Sequence, residues 1–139
     1  MLFQLFTNIS TKTVDNMWKT VAIVNRFHKQ IFKSKGEDPM KRLNEEQIVK
    51  ELTQLSEWKR LDEKWITRRY RFKEFLDGIR FVNEIATYAE QKNHHPFISI
   101  DYKVVTLKIS SWQMKGLTDL DFEMAKHFDD LYEQVIHSA

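Results

Sequence analysis

The chain has 139 residues, of which 42% are hydrophobic and 30% charged, and a formal net charge of +2. That composition supplies one core and excludes disordered, collagen-like and low-complexity chains, and no apolar run approaches the roughly 18 residues of a bilayer-spanning helix. The absence of Cys excludes a disulfide scaffold, a cysteine nucleophile and thiolate metal sites, which leaves a soluble, intracellular single domain as the expectation.

The first segment is basic. Residues 1–39 hold six Lys/Arg against three acids, whereas the remaining 100 residues hold 16 bases and 17 acids. The nearly neutral body offers no broad field for a polyanion, so nucleic acid is not the expected partner. For Met1–Phe32, whose only acid is Asp15, three readings compete. An organelle-targeting sequence fits its low acid content but not its scarcity of Ser and Arg. An amphipathic helix over Val14–Phe32 could dock on a surface or partner. The favoured reading is an extension outside the chemistry, because Gly36-Glu37-Asp38-Pro39 breaks structure and a domain over residues 40–139 begins beyond it.

Asn44-Glu45-Glu46-Gln47 has the form of a capping box and predicts a helix over about 45–56, with Ile48, Leu52 and Leu55 at helical spacing. Trp58–Leu61 and Trp65–Phe72 follow as two strands joined by a polar turn. Ile66, Arg68, Tyr70 and Phe72 share one parity, and Thr67, Arg69 and Arg71 the other, the pattern of a half-buried hairpin. From Lys73 to about Gln91 the period becomes helical, with Phe75, Leu76, Ile79, Val82, Ala86 and Ala89 as the expected buried face and Gly78 a tolerated weakness. Pro96 disfavours helical geometry at His95 and ends this helix. Strands follow at Phe97–Tyr102 and Lys103–Ser111, the second alternating Val105, Leu107 and Ile109 with Thr106, Lys108 and Ser110. Thr118 is the expected N-cap of a last helix running to about Ile136, with Asp121 at its third position and Met124, Phe128, Leu131 and Val135 facing inward.

The order α-β-β-α-β-β-α predicts an α+β fold, a four-stranded antiparallel sheet with helices packed on one face. Its open edges would suit pairing with a second copy.

No phosphate loop, dinucleotide fingerprint or nucleophile elbow occurs. The dense polar spot is Glu90-Gln91-Lys92-Asn93-His94-His95-Pro96. Adjacent histidines at a helix-to-strand junction can serve proton transfer near neutral pH, or can simply be a solvated helix end. A metal site is the poorer reading, since His127 and His137 have no ligand-like spacing to the pair. Asp121 has a sufficient explanation in the helix dipole, and Trp112 in core packing. A third reading makes Arg68, Arg69, Arg71 and Lys73, interleaved with Tyr70 and Phe72, a nucleic-acid surface; a solvated strand face over core aromatics explains them as well.

Several intervals hold together beyond this. Glu90 lies four residues before His94; five residues separate Pro96 from Tyr102, nine separate Tyr102 from Trp112, and Asp121 lies nine beyond Trp112. With Lys103, Val104, Thr106, Leu107 and Gly116-Leu117-Thr118, this pattern over residues 43–136 resembles the pterin-4a-carbinolamine dehydratases. The resemblance implies a hydro-lyase that removes water from 4a-hydroxytetrahydropterin to give quinonoid dihydropterin, recycling the cofactor of aromatic amino acid hydroxylases. It implies His94 and His95 as proton-transfer groups, with His94 the more important. Asp121 would orient a histidine or bond the substrate, and Glu90, Pro96 and Trp112 would support or contact the pterin. Trp112 stands where part of the family has a third histidine; an indole can wall a flat heterocycle but cannot shuttle protons. No metal or organic cofactor is implied. The resemblance further implies a homodimer or homotetramer, in the cytoplasm unless residues 1–39 carry an organelle address. Family members also act as dimerisation cofactors of a transcription factor, which leaves a protein-interaction module as the alternative function.

Overall fold

The computed structural model describes residues 40–138, and the expectations for residues 1–39 lie outside them. The elements are α1 (Glu45–Gln54), β1 (Lys59–Arg60), β2 (Ile66–Arg71), α2 (Phe75–Lys92), β3 (Phe97–Asp101), β4 (Val104–Ile109) and α3 (Asp119–His137). The four strands form one antiparallel sheet in the order β1-β2-β4-β3. The fold is the α+β architecture read from the sequence.

Local chemistry sets the element ends. The Asn44 side chain accepts from Gln47 N–H at 2.9 Å and the Gln47 side chain from Asn44 N–H at 3.0 Å, so the capping box opens α1. The helix α2 runs one residue past the predicted end and stops at Asn93, which takes the left-handed conformation with φ 49° and ψ 41°. Asn tolerates that conformation, and its N–H closes back onto Ala89 and Glu90 carbonyls. Asn93, rather than Pro96 alone, therefore turns the chain out of the helix. The first strand is shorter than predicted: only Lys59 and Arg60 pair with β2, and Trp58 just before it is buried.

The core-facing side of the sheet carries Ile66, Tyr70, Val105, Leu107 and Ile109, all buried, because residues two apart on a strand share a face. They share one cluster with Phe81, Ile85 and Ala89 of α2 and Phe122, Ala125 and Phe128 of α3. The predicted α2 face needs correction. Phe75, Leu76 and Ala86 are exposed, and the buried stripe is Gly78, Phe81, Ile85 and Ala89. The sequence offers two overlapping apolar stripes, and the one through Phe81, Ile85 and Ala89 packs into the core. At Gly78 this helix lies close to the sheet: a Cβ there would sit 3.4 Å from both Phe72 Cδ2 and Val105 Cγ2, at the edge of ordinary van der Waals contact.

A second, half-buried network lies between sheet and helix. Asp129 Oδ1 of α3 accepts from Tyr70 Oη at 2.6 Å and Trp58 Nε1 at 2.9 Å, and pairs with Arg68 Nη1 at 2.6 Å. The Arg68 guanidinium lies 4.5 Å from the Tyr70 ring centre, a cation–π contact.

Candidate active site

The site forms where α2 ends, β4 ends and α3 begins. Asn93 reverses the chain so that His94 N–H bonds Ala89 O at 3.1 Å, and the two following imidazoles diverge to different carboxylates. His94 Nε2 lies 2.7 Å from Asp121 Oδ1, and His95 Nε2 lies 2.7 Å from Glu90 Oε1. The two pairs differ in burial. The His94 and Asp121 side chains are 12% and 0% exposed, against 54% and 79% for His95 and Glu90. Geometry is therefore enforced at the first pair and left to solvent at the second.

Asp121 is placed by the start of α3. From the third helical position its Oδ2 accepts from Thr118 N–H at 2.8 Å and from Ser111 Oγ at 2.8 Å. A carboxylate in the first turn also complements the helix dipole. With both donors on Oδ2, Oδ1 is left to His94. An ionised carboxylate only accepts, so toward it His94 donates from Nε2, and in the neutral imidazole that leaves the lone pair on Nδ1.

The two histidines line a cleft of about 500 Å³ together with Lys92, Ser111, Trp112 and Gln113. Trp112 is 65% exposed, so core packing does not account for it. Its ring is held edge-on by Trp65, with centroids 5.6 Å apart, and lies 6.0 Å from that of Phe97. Glu90 and Pro96 do not line this cleft; Glu90 reaches it through His95. A second hollow of about 350 Å³, between Trp65, Phe97 and Lys108, contains neither histidine.

The sequence singled out neither Ser111 nor Gln113, and assigned no role to Lys92 within the polar run. Lys92 bonds Glu123 Oε1 at 2.6 Å. Burial alone would lower its pKa, but the hydrogen bond and charge of Glu123, with a contribution from Tyr88, outweigh burial and raise it. Lys92 is thus a cation at neutral pH and no proton acceptor. Among the described residues no group of three or more His, Asp or Glu could hold a metal ion. No described helix is long and apolar enough to cross a membrane.

The arginine strand does not form a stacking surface. Tyr70 and Phe72 are buried and Arg68 turns inward to Asp129, so only Arg69, Arg71 and Lys73 stay exposed. Bases have no aromatic face to stack on there.

Two carboxylate-backed imidazoles beside one cleft, at the end of a small α+β domain, define a class of site suited to moving protons on a small molecule. The chain belongs to the pterin 4 alpha carbinolamine dehydratase family, whose model matches residues 41–131. It is 42% identical over 90 residues to a Picosynechococcus protein provisionally named a pterin-4-alpha-carbinolamine dehydratase, a match spanning 65% of this chain and 97% of the relative. A Sulfurisphaera tokodaii protein with the same provisional name is 35% identical over 66% of this chain and 98% of its own. The crystal structure of a Brucella melitensis protein described as a transcriptional coactivator/pterin dehydratase superposes with a TM-score of 0.63 at 32% identity. That match spans 66% of this chain and 98% of the other.

Proposed function

We propose that this protein is a hydro-lyase that dehydrates 4a-hydroxytetrahydropterin to quinonoid dihydropterin in pterin cofactor recycling. The observation supporting this most is the meeting of a buried His94–Asp121 pair and an exposed His95–Glu90 pair at one cleft, in a chain of this family.

The reaction needs one proton accepted and one delivered. The N5–H proton passes to Nδ1 of His94, whose other nitrogen is held by Asp121. The electrons of that N–H bond form the N5–C4a double bond as the C4a–O bond breaks. The hydroxyl leaves as water with a proton from His95. Its exposure suits this role, because the imidazole is then recharged from solvent. Trp112 walls the flat ring, Glu90 holds His95, and Pro96 fixes the chain's entry to β3. Positioned acid–base groups of this kind contribute about 10²–10⁴-fold in rate.

Turnover of 4a-hydroxytetrahydropterin by the full chain tests the reading. His94→Ala is expected to lose about 10²-fold or more in kcat and His95→Ala less; wild-type rates in both variants would end it.

A homodimer or homotetramer is part of the proposal. Among the described residues strand β3 pairs only with β4, and its other edge presents exposed Phe97, Ile98 and Ile100, an arrangement suited to pairing with a second copy. The same edge, with the coactivator description of the Brucella protein, favours a second reading, a protein-interaction module with little catalysis. Binding of a partner that survives His94→Ala, in a chain without turnover, would select it.

A further inference from the structure

The hydroxyls behind Asp121 form an ordered chain. Ser111 Oγ lies 2.8 Å from Asp121 Oδ2 and 2.8 Å from Thr118 Oγ1, whereas Thr118 Oγ1 lies 3.2 Å from Asp121 Oδ2. Each hydroxyl has one proton to donate. The shorter distances are satisfied together by one arrangement: Thr118 Oγ1–H donates to Ser111 Oγ, and Ser111 Oγ–H donates to Asp121 Oδ2. Ser111, Thr118 and Asp121 are all buried, so water does not compete for these bonds, and hydrogen bonds in series strengthen one another.

Only part of this chain is explained by the helix cap. Capping α3 needs Thr118 and the reach of Asp121 back to Thr118 N–H at 2.8 Å. Ser111 belongs to neither. It follows β4, seven residues before Thr118, and its backbone N–H is held by Gly116 O at 3.0 Å. The turn thus fixes where its hydroxyl points, and that hydroxyl reaches Asp121 on the oxygen opposite His94.

We infer that Ser111 is a positioning residue for the His94–Asp121 pair. Its hydroxyl locks the carboxylate plane, so that Oδ1 faces Nε2 of His94 and holds the proton there. Thr118, by donating to Ser111, settles which way that hydroxyl points. The effect on rate rests on the reading of His94 as the proton acceptor; the effect on the imidazole proton does not.

The test is made on the full chain with Ser111→Ala, Ser111→Thr and Thr118→Val, each checked for folding by circular dichroism. Imidazole ¹⁵N NMR reports which nitrogen of His94 is protonated and how fast that proton exchanges with water. In Ser111→Ala the Nε2 proton is expected to exchange about tenfold faster, and kcat to fall about tenfold with KM unchanged, the lower end of what removing an outer partner costs at metal-bound histidines. Ser111→Thr keeps the hydroxyl and restores both, and Thr118→Val changes both in the same direction by less. A folded Ser111→Ala with wild-type exchange overturns the inference. So does a Ser111→Thr that behaves like Ser111→Ala, since packing would then be the cause. Faster exchange in Ser111→Ala, alongside a wild-type chain that shows no turnover, would keep the inference and remove the dehydratase reading.

Discussion

Replacing Asp121 with Asn is the sharpest probe of the site, because the surroundings dictate how the amide must sit. Oδ2 of Asp121 accepts from Thr118 N–H and from Ser111 Oγ, at 2.8 Å each. An amide has one carbonyl oxygen and one NH₂ group. Turning the NH₂ toward those donors would orphan them in a site with no exposure, at about 1–3 kcal/mol for each buried group. The carbonyl oxygen therefore takes the Oδ2 position, and the NH₂ faces His94 Nε2. That nitrogen must then accept, so the imidazole proton moves to Nδ1 and the lone pair assigned to the N5 proton is lost. The expected kcat is about 10²–10⁴-fold below wild type, the range found where a histidine loses its base or is held in the wrong tautomer. The fold survives. Losing the charge costs about 0.3–1 kcal/mol of helix-dipole interaction and about 1 kcal/mol for each of the three charge-assisted bonds, from Thr118, Ser111 and His94, that becomes neutral, against a total stability of about 5–15 kcal/mol. Steady-state turnover and the ¹⁵N shifts of His94 are the measurements. An Asn variant within threefold of wild-type kcat, its proton still on Nε2, would refute the reasoning.

Three further outcomes follow from the structure. Tyr70 has its pKa raised far above the usual phenol range, by burial first and then by the charge and hydrogen bond of Asp129, which outweigh Arg68. The folded chain therefore keeps a proton that the unfolded chain releases above about pH 10, and stability falls as pH rises beyond that, by about 1.4 kcal/mol per pH unit. In urea melts at pH 9 and 11, Tyr70→Phe should lose less stability between the two than wild type; equal losses would contradict the assignment. At the exposed β3 edge, Ile100→Lys should convert a sedimenting dimer or tetramer to monomer, and a variant that sediments like wild type would place the contact elsewhere. Asn93 at φ 49° should respond oppositely to two substitutions in thermal unfolding: Asn93→Ala loses about 1 kcal/mol, whereas Asn93→Gly is neutral or stabilising. Destabilisation of similar size by both would mean that the Asn side chain, not the backbone conformation, ends α2.

What the sequence made legible was whatever neighbouring residues determine. Asn44 and Gln47 bond each other across three positions, so their meaning is local. The alternation of β2 placed Arg68 on the core side, as it is, but could not supply Asp129, which reaches it from α3 together with Trp58 and Tyr70. Without that partner the same arginine read equally well as part of a basic surface. In α2 the choice between the Phe75 and Phe81 stripes is made by which side packs into the shared core, where Phe81, Ile85 and Ala89 lie, a tertiary fact with no local signature. The site divides along the same line. The spacing of Glu90, His94, His95, Trp112 and Asp121 selected the residues, but not which carboxylate serves which imidazole. That pairing is made by the left-handed turn at Asn93, which sends His94 down to the buried Asp121 and leaves His95 beside Glu90 in solvent. Ser111 carried no local mark, since a serine after a strand is common; its weight comes entirely from the carboxylate ten positions later that its hydroxyl meets. Two adjacent and chemically identical side chains thus acquire different capacities from backbone direction alone, and for that reason His94→Ala and His95→Ala should not be interchangeable.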